Sequence, residues 1–233
     1  MKELIVEKVL TDLETKKLKG EWIDESYMKY PVITEDTDVY YFDNKGMKKV
    51  LCKFRKNIIS DEFTKIGWES YKNLAKPSRG RGAAAGHINT SGVYWSKKEL
   101  IDTDKWRTSY ILNNGEKSKM KVNNQVFSMP VGFFESSNKL YTLPCRLTHF
   151  TRQHYDDYIQ GIPYIKKVDE CFKQLLPERY KKQLDRALLK PEFRIADTSF
   201  STITINRNFR TALHRDAGDY KEGFGNLTVI ERG

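Results

Sequence analysis

The sequence predicts an α+β fold in which a layer of helices packs on a sheet. Before about residue 190, apolar residues recur three or four positions apart, as they do along residues 162–175, and this is the spacing of one helix face. Later the period changes to two, because residues 200–206 alternate, with Ser201, Ile203 and Ile205 on one face. Helices that precede a strand-rich segment are typical of α+β domains.

The first half of the chain contains three predictable segments. Residues 2–18 have helical spacing, and so do residues 61–75. Residues 38–54 predict a hairpin, because Asn and Gly supply turn chemistry at residues 43–46 and the flanks are β-branched or aromatic. Residues 87–127 are polar and mixed, and no element is predicted there.

The second half is predicted to begin with an extended segment and to continue through two helices into three strands. Pro177 favours a helix start, because proline fits the first turn. The predicted segments are 128–134 (extended), 162–175 and 177–189 (helices), and 200–206, 213–216 and 225–230 (strands).

Composition indicates an ordinary globular protein. The 233 residues are 39% hydrophobic and 12% aromatic, which is enough to form a core. A mean hydropathy of −0.67 without a long apolar run predicts no membrane span, and the N-terminus lacks a signal-peptide core, so we expect an intracellular protein, cytoplasmic or nuclear. Three scattered cysteines exclude a disulfide framework and a cysteine-rich zinc module. Nothing in the sequence indicates an obligate protein partner.

The charge balance favours a polyanionic partner. Lys and Arg number 41 against 31 Asp and Glu, which gives a formal charge of +10 and a pI near 9.3. Nucleic acid is the polyanion that a basic protein most commonly binds. Arg79 and Arg81 are candidate substrate-binding residues, because Arg can engage phosphate bidentately and the glycines of their loop allow close backbone approach. A solvated basic loop is the alternative.

His214 and Asp216 are the candidate metal ligands and catalytic residues. On an extended chain, side chains two positions apart point the same way, so the imidazole and the carboxylate can face one ion. With a second His from elsewhere, they would form the facial triad of non-haem Fe(II) oxygenases. An isolated H-x-D is a weak motif, and a surface pair on a turn is the alternative.

The context of the motif resembles a known family. Residues 200–206, Thr211–Asp216, the following Gly-Asp-Tyr and Gly225–Val229 are similar to the ten-eleven-translocation/base-J-binding-protein (TET/JBP) dioxygenases. The likeness extends more loosely to residues 78–86 and 145–151. It is closest to viral and protist-type members, so the protein could be virus-encoded.

This resemblance implies a single dioxygenase domain over residues 1–233. Residues 1–192 would be a mainly helical and mixed support region, and residues 193–233 the first strands of a double-stranded β-helix. The implied cofactor is Fe(II) and the co-substrate 2-oxoglutarate. The implied reaction is hydroxylation of the methyl group of a 5-methylpyrimidine in nucleic acid, and the implied partner is DNA. Asn206, on the strand before the motif, is a candidate contact to the co-substrate.

The chain departs from the family in one respect. The family's second iron His and its 2-oxoglutarate Arg lie downstream of H-x-D, whereas only 17 residues follow Asp216 and they contain no His. We therefore expect an incomplete domain that is weakly active or inactive alone. A naturally degenerate protein is the alternative to a truncated one. Two other functions stay open, namely a protein hydroxylase, for example of proline, and a non-catalytic basic nucleic-acid-binding module.

Overall fold

The computed structural model describes residues 1–89, 99–135, 144–216 and 218–231. The chain divides into two compact units. Unit 1 comprises residues 1–56, 77–127 and 208–215, and unit 2 comprises residues 57–76, 128–207 and 216–233. The prediction of a single dioxygenase domain stays a prediction.

The described residues form helices and several small sheets, which confirms the mixed α+β class. The double-stranded β-helix is not seen directly. The strands are β1 (Lys2–Ile5), β2 (Thr37–Phe42), β3 (Lys48–Phe54), β4 (Pro77–Ser78), β5 (Leu100–Ile101), β6 (Ser109–Tyr110), β7 (Val126–Glu135), β8 (Cys145–Leu147) and β9 (Thr202–Asn206). The helices are α1 (Asp12–Lys17), α2 (Asp61–Tyr71), α3 (His149–Gln153), α4 (Tyr155–Leu175) and α5 (Pro177–Ala187).

Unit 1 contains a three-stranded sheet in the order β1-β2-β3. The predicted hairpin is confirmed as β2 and β3, and the Asp43 carboxylate closes its turn by accepting from the N–H groups of Lys45 and Met47. The prediction of a helix over residues 2–18 was wrong for its first part, because β1 pairs in parallel with β2. Only α1 is helical there, and it begins at a capping box between Thr11 and Glu14.

A buried ion pair joins the strands of this sheet to the segment that follows them. The Asp38 side chain is 5% exposed, and its carboxylate lies 2.6 Å from Arg55 Nη2 and 3.4 Å from Lys53 Nζ. Burial acts to raise the pKa of Asp38, but these two cations outweigh it and hold the pKa below its usual value. Part of the basic charge near the hairpin is therefore used internally.

Unit 2 is organised by α2 packed against α4. Each helix places a glycine against a tyrosine of the other helix: Gly67 of α2 faces the Tyr164 ring, and Gly161 of α4 faces the Tyr71 hydroxyl. A Cβ at position 67 would lie 2.8 Å from Tyr164 Cγ, and one at position 161 would overlap Tyr71 Oη. Both rings are buried in one hydrophobic core with Phe150, so the close helix approach depends on the missing side chains.

Strand β7 supplies the sheet of unit 2. It pairs antiparallel with β9, from Ser128 opposite Asn206 to Gly132 opposite Thr202, and its last residues pair with β8. Gly132 has a φ of +96°, and a Cβ there would overlap the Ser201 carbonyl, so this position requires glycine. The predicted extended segment at residues 128–134 and the strand at residues 200–206 are confirmed.

The prediction of strands at residues 213–216 and 225–230 was wrong: both segments lie outside helices and strands. Residues 225–230 keep an alternating pattern: Thr228 accepts from the Tyr164 hydroxyl at 2.7 Å and Ile230 packs on the core. Leu227 and Val229 are 89% and 72% exposed. In the described ranges no strand lies beside this segment, so side-chain alternation is present without a hydrogen-bonded ladder.

We predict that Gly161→Ala destabilises unit 2. In an open helix this change would stabilise by about 1 kcal/mol, because Ala is the better helix former. Here the added methyl group overlaps the Tyr71 hydroxyl, and overpacking of this kind costs about 1–3 kcal/mol. Urea unfolding followed by circular dichroism measures the change. Gly225→Ala is the matched control, because a Cβ there meets no atom within 4 Å. Equal or greater stability of Gly161→Ala would contradict the packing described.

Candidate metal-binding site

The main chain that leads into His214 is fixed by a pair of backbone hydrogen bonds in unit 1. Leu213 N–H donates to the Glu21 carbonyl at 2.7 Å, and Gly20 N–H donates to the Leu213 carbonyl at 2.8 Å. Gly20 is buried and has a φ of +87°, which a residue with a side chain rarely adopts. The residue directly before His214 is therefore held on both of its backbone groups.

The residues before Leu213 are held in the same way. Ala212 is 2% exposed, and its N–H donates to the Ala84 carbonyl at 2.9 Å. Arg210 holds the segment through its side chain and its backbone. Its guanidinium donates to the Ile23 carbonyl at 2.7 Å, and its own carbonyl accepts from Trp22 Nε1 at 3.4 Å. These contacts replace the strand ladder that the sequence predicts, which explains why this segment is ordered without being a strand.

The His214 imidazole has a defined orientation. Its Nδ1 lies 2.7 Å from the carbonyl oxygen of Ala212, and the ring is half-buried. A carbonyl can only accept, so this contact places the proton on Nδ1 and the lone pair on Nε2. Histidines that bind metals are oriented by a second-nitrogen hydrogen bond of this kind. The arrangement is therefore chemically suited to metal binding through Nε2.

A charged cluster lies close to this segment in unit 1. The Glu21 carboxylate is 2.9 Å from Lys105 Nζ and 3.0 Å from His87 Nε2. The His87 contact is close but lacks hydrogen-bond alignment, so we treat it as electrostatic. Lys105, and to a lesser extent His87, lowers the pKa of Glu21. The cluster keeps a negative charge on the residue whose carbonyl holds Leu213.

Asp216 lies at the start of the last segment of unit 2 and is exposed. It influences a second carboxylate, because partial desolvation and then the negative charge of Asp216 raise the pKa of Asp219. Two carboxyl groups therefore lie near each other after the histidine. Within the described ranges, no group of three His, Cys, Asp or Glu side chains could hold a metal ion. A His and an Asp are nevertheless donors that suit Fe(II), so the donor types fit that ion.

The other candidate residues have structural contacts of their own. Arg79 Nη2 donates to Gln125 Oε1, and Arg81 occupies the N-cap position of the short 3₁₀ turn Gly82–Ala85 without a side-chain cap hydrogen bond. The Asn206 amide oxygen accepts from Ser128 Oγ at 2.7 Å, where β9 ends beside the first residues of β7. Arg79, Arg81 and His214 belong to unit 1, whereas Asn206 and Asp216 belong to unit 2. Their substrate and co-substrate roles stay predictions.

Sequence reasoning missed the residues that hold the histidine, namely residues 20–23 and 84. The signal in the sequence was weak: Gly20 is a lone glycine, and the loop of Arg79 and Arg81 was interpreted from its arginines and glycines, although its alanines are buried. These contacts join residues more than a hundred positions apart, and periodicity does not report such pairs.

Comparison with known proteins covers the second half of the chain. Residues 129–232 match the family described as the oxygenase domain of the 2OGFeDO superfamily (Tet_JBP). The bifunctional helicase and thymine dioxygenase JBP2 of Leishmania major is 38% identical over 100 residues, which are 43% of this chain and 9% of that protein. Thymine dioxygenase JBP1-B of Trypanosoma cruzi is also 38% identical over 100 residues, 43% of this chain and 12% of that protein.

The match thus spans about a tenth of the length of these relatives. No solved structure matches the chain significantly. No described helix is both long and apolar enough to cross a membrane. Residues 129–232 are thus homologous to the TET/JBP oxygenase domain of the 2OGFeDO superfamily, and about 100 residues of the chain are homologous to JBP thymine dioxygenases.

Proposed function

We propose that the protein is a dioxygenase that hydroxylates the methyl group of a 5-methylpyrimidine in nucleic acid. One observation carries the proposal: His214 has its Nδ1 committed to the Ala212 carbonyl on a backbone fixed by Gly20 and Glu21. A histidine prepared in this way, two positions before an exposed Asp216, supplies two ligands of a facial triad. The family match covers both residues.

Each residue has one role in this proposal. His214 Nε2 and the Asp216 carboxylate hold Fe(II), and the Ala212 carbonyl keeps the imidazole in the tautomer that can do so. When bound, Fe(II) and 2-oxoglutarate supply the oxidising chemistry, in which O₂ and 2-oxoglutarate become succinate, CO₂ and the hydroxyl oxygen. Asn206 would contact the co-substrate. Arg79 and Arg81 would contact substrate phosphates.

The substrate follows from the relatives and the charge together. Two relatives are named thymine dioxygenases, and thymine is a pyrimidine with a methyl group at C5. A base within a duplex is out of reach of a protein site and has to be flipped out. A formal charge of +10 supports phosphate contacts that hold the strand while this happens. The alternative peptide substrate, such as proline, has no such need for positive charge.

Turnover with matched substrates tests the reaction. We expect the full-length protein, loaded anaerobically with Fe(II) and 2-oxoglutarate and then exposed to O₂, to form succinate and a hydroxymethyl base. Oligonucleotides with thymine or 5-methylcytosine should be oxidised, and those with uracil or cytosine in their place should not, because they lack the methyl group. Mass spectrometry of the bases and of succinate gives the readout. Oxidation of a proline peptide alone would exclude the nucleic-acid substrate, and no turnover with any substrate would exclude the enzyme.

Replacement of the histidine tests the site. We expect His214→Ala in the full-length protein to abolish turnover and to weaken Fe(II) binding at least about tenfold, because one ligand is lost. Anaerobic isothermal titration calorimetry with Fe(II) alone measures the affinity. His149→Ala is the control, since His149 is exposed on α3 and should leave affinity and turnover unchanged. Wild-type Fe(II) affinity in His214→Ala with intact circular dichroism would remove the assignment.

A further inference from the structure

The excess positive charge of the protein is concentrated in unit 1. Unit 1 contains 23 Lys and Arg residues against 15 Asp and Glu, whereas unit 2 contains 18 against 16. Unit 2 is therefore nearly balanced, although its helix α5 is rich in basic residues. Most of unit 1 lies before residue 129, where the family match begins. The comparisons consequently assign no role to the more basic part of the chain.

Five exposed basic residues of unit 1 are linked, by contacts or as chain neighbours, to one partly exposed indole ring. We call this set the Trp106 patch, and it consists of Trp106 with Lys17, Lys19, Lys105, Arg107 and Lys121. Lys19 Nζ lies 5.1 Å from the centroid of the Trp106 ring, and Lys105 Nζ donates to the Lys17 carbonyl at 2.9 Å. These contacts bring residues 17–19 next to residues 105–106, which are distant in sequence.

The remaining two cations of the patch meet at one carboxylate. Arg107 Nη2 lies 3.3 Å from the Asp104 carboxylate, and Lys121 Nζ lies 3.1 Å from it. The side chains of these three residues are 36–50% exposed. Exposed ion pairs contribute about 0–1 kcal/mol and weaken with salt, so another anion can replace the carboxylate. The two cations therefore remain available to a ligand.

The positive charge of the patch is only partly neutralised. In the described part of the chain, Glu21 pairs with Lys105, and Asp104 pairs with Arg107 and Lys121. The Asp102 carboxylate, which is paired with Lys117, also interacts electrostatically with Lys121. Glu21 is shared with His87. Five cations against three carboxylates, one of which is already paired with Lys117, leave a net positive surface that includes the partly exposed Trp106 ring. Positive charge beside an aromatic ring is typical of surfaces that bind nucleic acid.

We infer that the Trp106 patch binds the phosphate backbone of duplex DNA and holds it beside the His214 segment. This inference rests on the nucleic-acid substrate proposed above and adds the surface that holds it. Gly20 connects the two features, because its Cα faces the Trp106 ring and its N–H donates to the Leu213 carbonyl. DNA is favoured over an acidic protein, because its phosphates give a dense and regular row of negative charges that several cations can meet together.

The test removes charge from the patch without disturbing its backbone contacts. The triple variant Lys19→Gln, Arg107→Gln and Lys121→Gln leaves Lys105 in place on Lys17 and Glu21. Fluorescence anisotropy with a labelled duplex, measured with the full-length protein over a range of salt concentrations, gives the affinity and its salt dependence. We expect the affinity to fall at least about tenfold at low salt, and the slope of log K against log salt to decrease by about two to three.

A matched variant in unit 2 controls for net charge. Lys173→Gln, Lys181→Gln and Arg186→Gln also remove two lysines and one arginine, from exposed positions on and before α5. We expect this variant to bind DNA with nearly wild-type affinity and slope. Equal losses in both variants, or no loss in the patch variant, would overturn the inference. Circular dichroism checks folding, and if the triple variant is unfolded the single Lys19→Gln change, with a slope decrease of about one, is used instead.

The outcome is separable from that of the proposed function. The patch variant should keep wild-type Fe(II) affinity and the succinate release that occurs without DNA, because none of its three residues is placed at the metal site. Loss of DNA binding with these activities retained supports the patch. Wild-type protein that binds DNA through the patch but never consumes 2-oxoglutarate would contradict the dioxygenase while leaving the patch in place. Turnover on DNA with unchanged binding by the patch variant would contradict the patch alone.

Discussion

The hydrogen-bond pair between Leu213 and residues 20–21 is the constraint on which the candidate site depends. It fixes the backbone one residue before His214, and Ala212 extends it by bonding to Ala84 and by accepting from the imidazole. A metal ligand on a chain free to move would lose affinity, because ordering it would cost conformational entropy at each binding event. Here that ordering is done by unit 1, through contacts that involve no ligand. The residues that prepare His214 thus lie almost entirely before the region matched to the oxygenase family.

Local patterns predicted much of the fold, because they depend on interactions within a few residues. The hairpin of β2 and β3 follows from its turn residues, and α5 from its helical spacing and its initial proline. The helix predicted where β1 lies was wrong, because the apolar residues there fit both the helical and the strand period. The strand forms because it pairs in parallel with β2, more than thirty positions away. The spacing of His214 and Asp216 identified the motif, but not its setting. That setting depends on Gly20 and Ala84, whose partners no local pattern reveals.

Close packing imposes a different requirement on unit 2. Each of the helices α2 and α4 places a glycine against a tyrosine of the other: Gly67 faces the Tyr164 ring, and Gly161 faces Tyr71. Because these glycines have no side chain, the tyrosines reach the backbone of the opposite helix. The Tyr71 hydroxyl is buried there and has no hydrogen-bond partner in the described chain, and its burial raises its pKa. An unsatisfied hydroxyl costs about 1–3 kcal/mol, which the buried core around it offsets. Tyr164 is better satisfied, because it donates to Thr228 and so ties the last described segment to the core.

The distribution of charge connects these structural features to the substrate. A formal charge of +10 does not by itself locate a binding surface, because some cations pair with carboxylates inside the protein, as Arg55 does with the buried Asp38. The cations around Trp106 differ, since all five are exposed and only three of them contact the carboxylates of Glu21 and Asp104. Gly20 touches this patch and also donates to the residue before His214, so both features lie on one stretch of backbone in unit 1. Phosphates held at the patch would therefore be positioned relative to the histidine by the same residues that orient it. A base displaced from that duplex would start at a fixed distance from His214. The free energy of binding the DNA backbone could offset the cost of displacing the base.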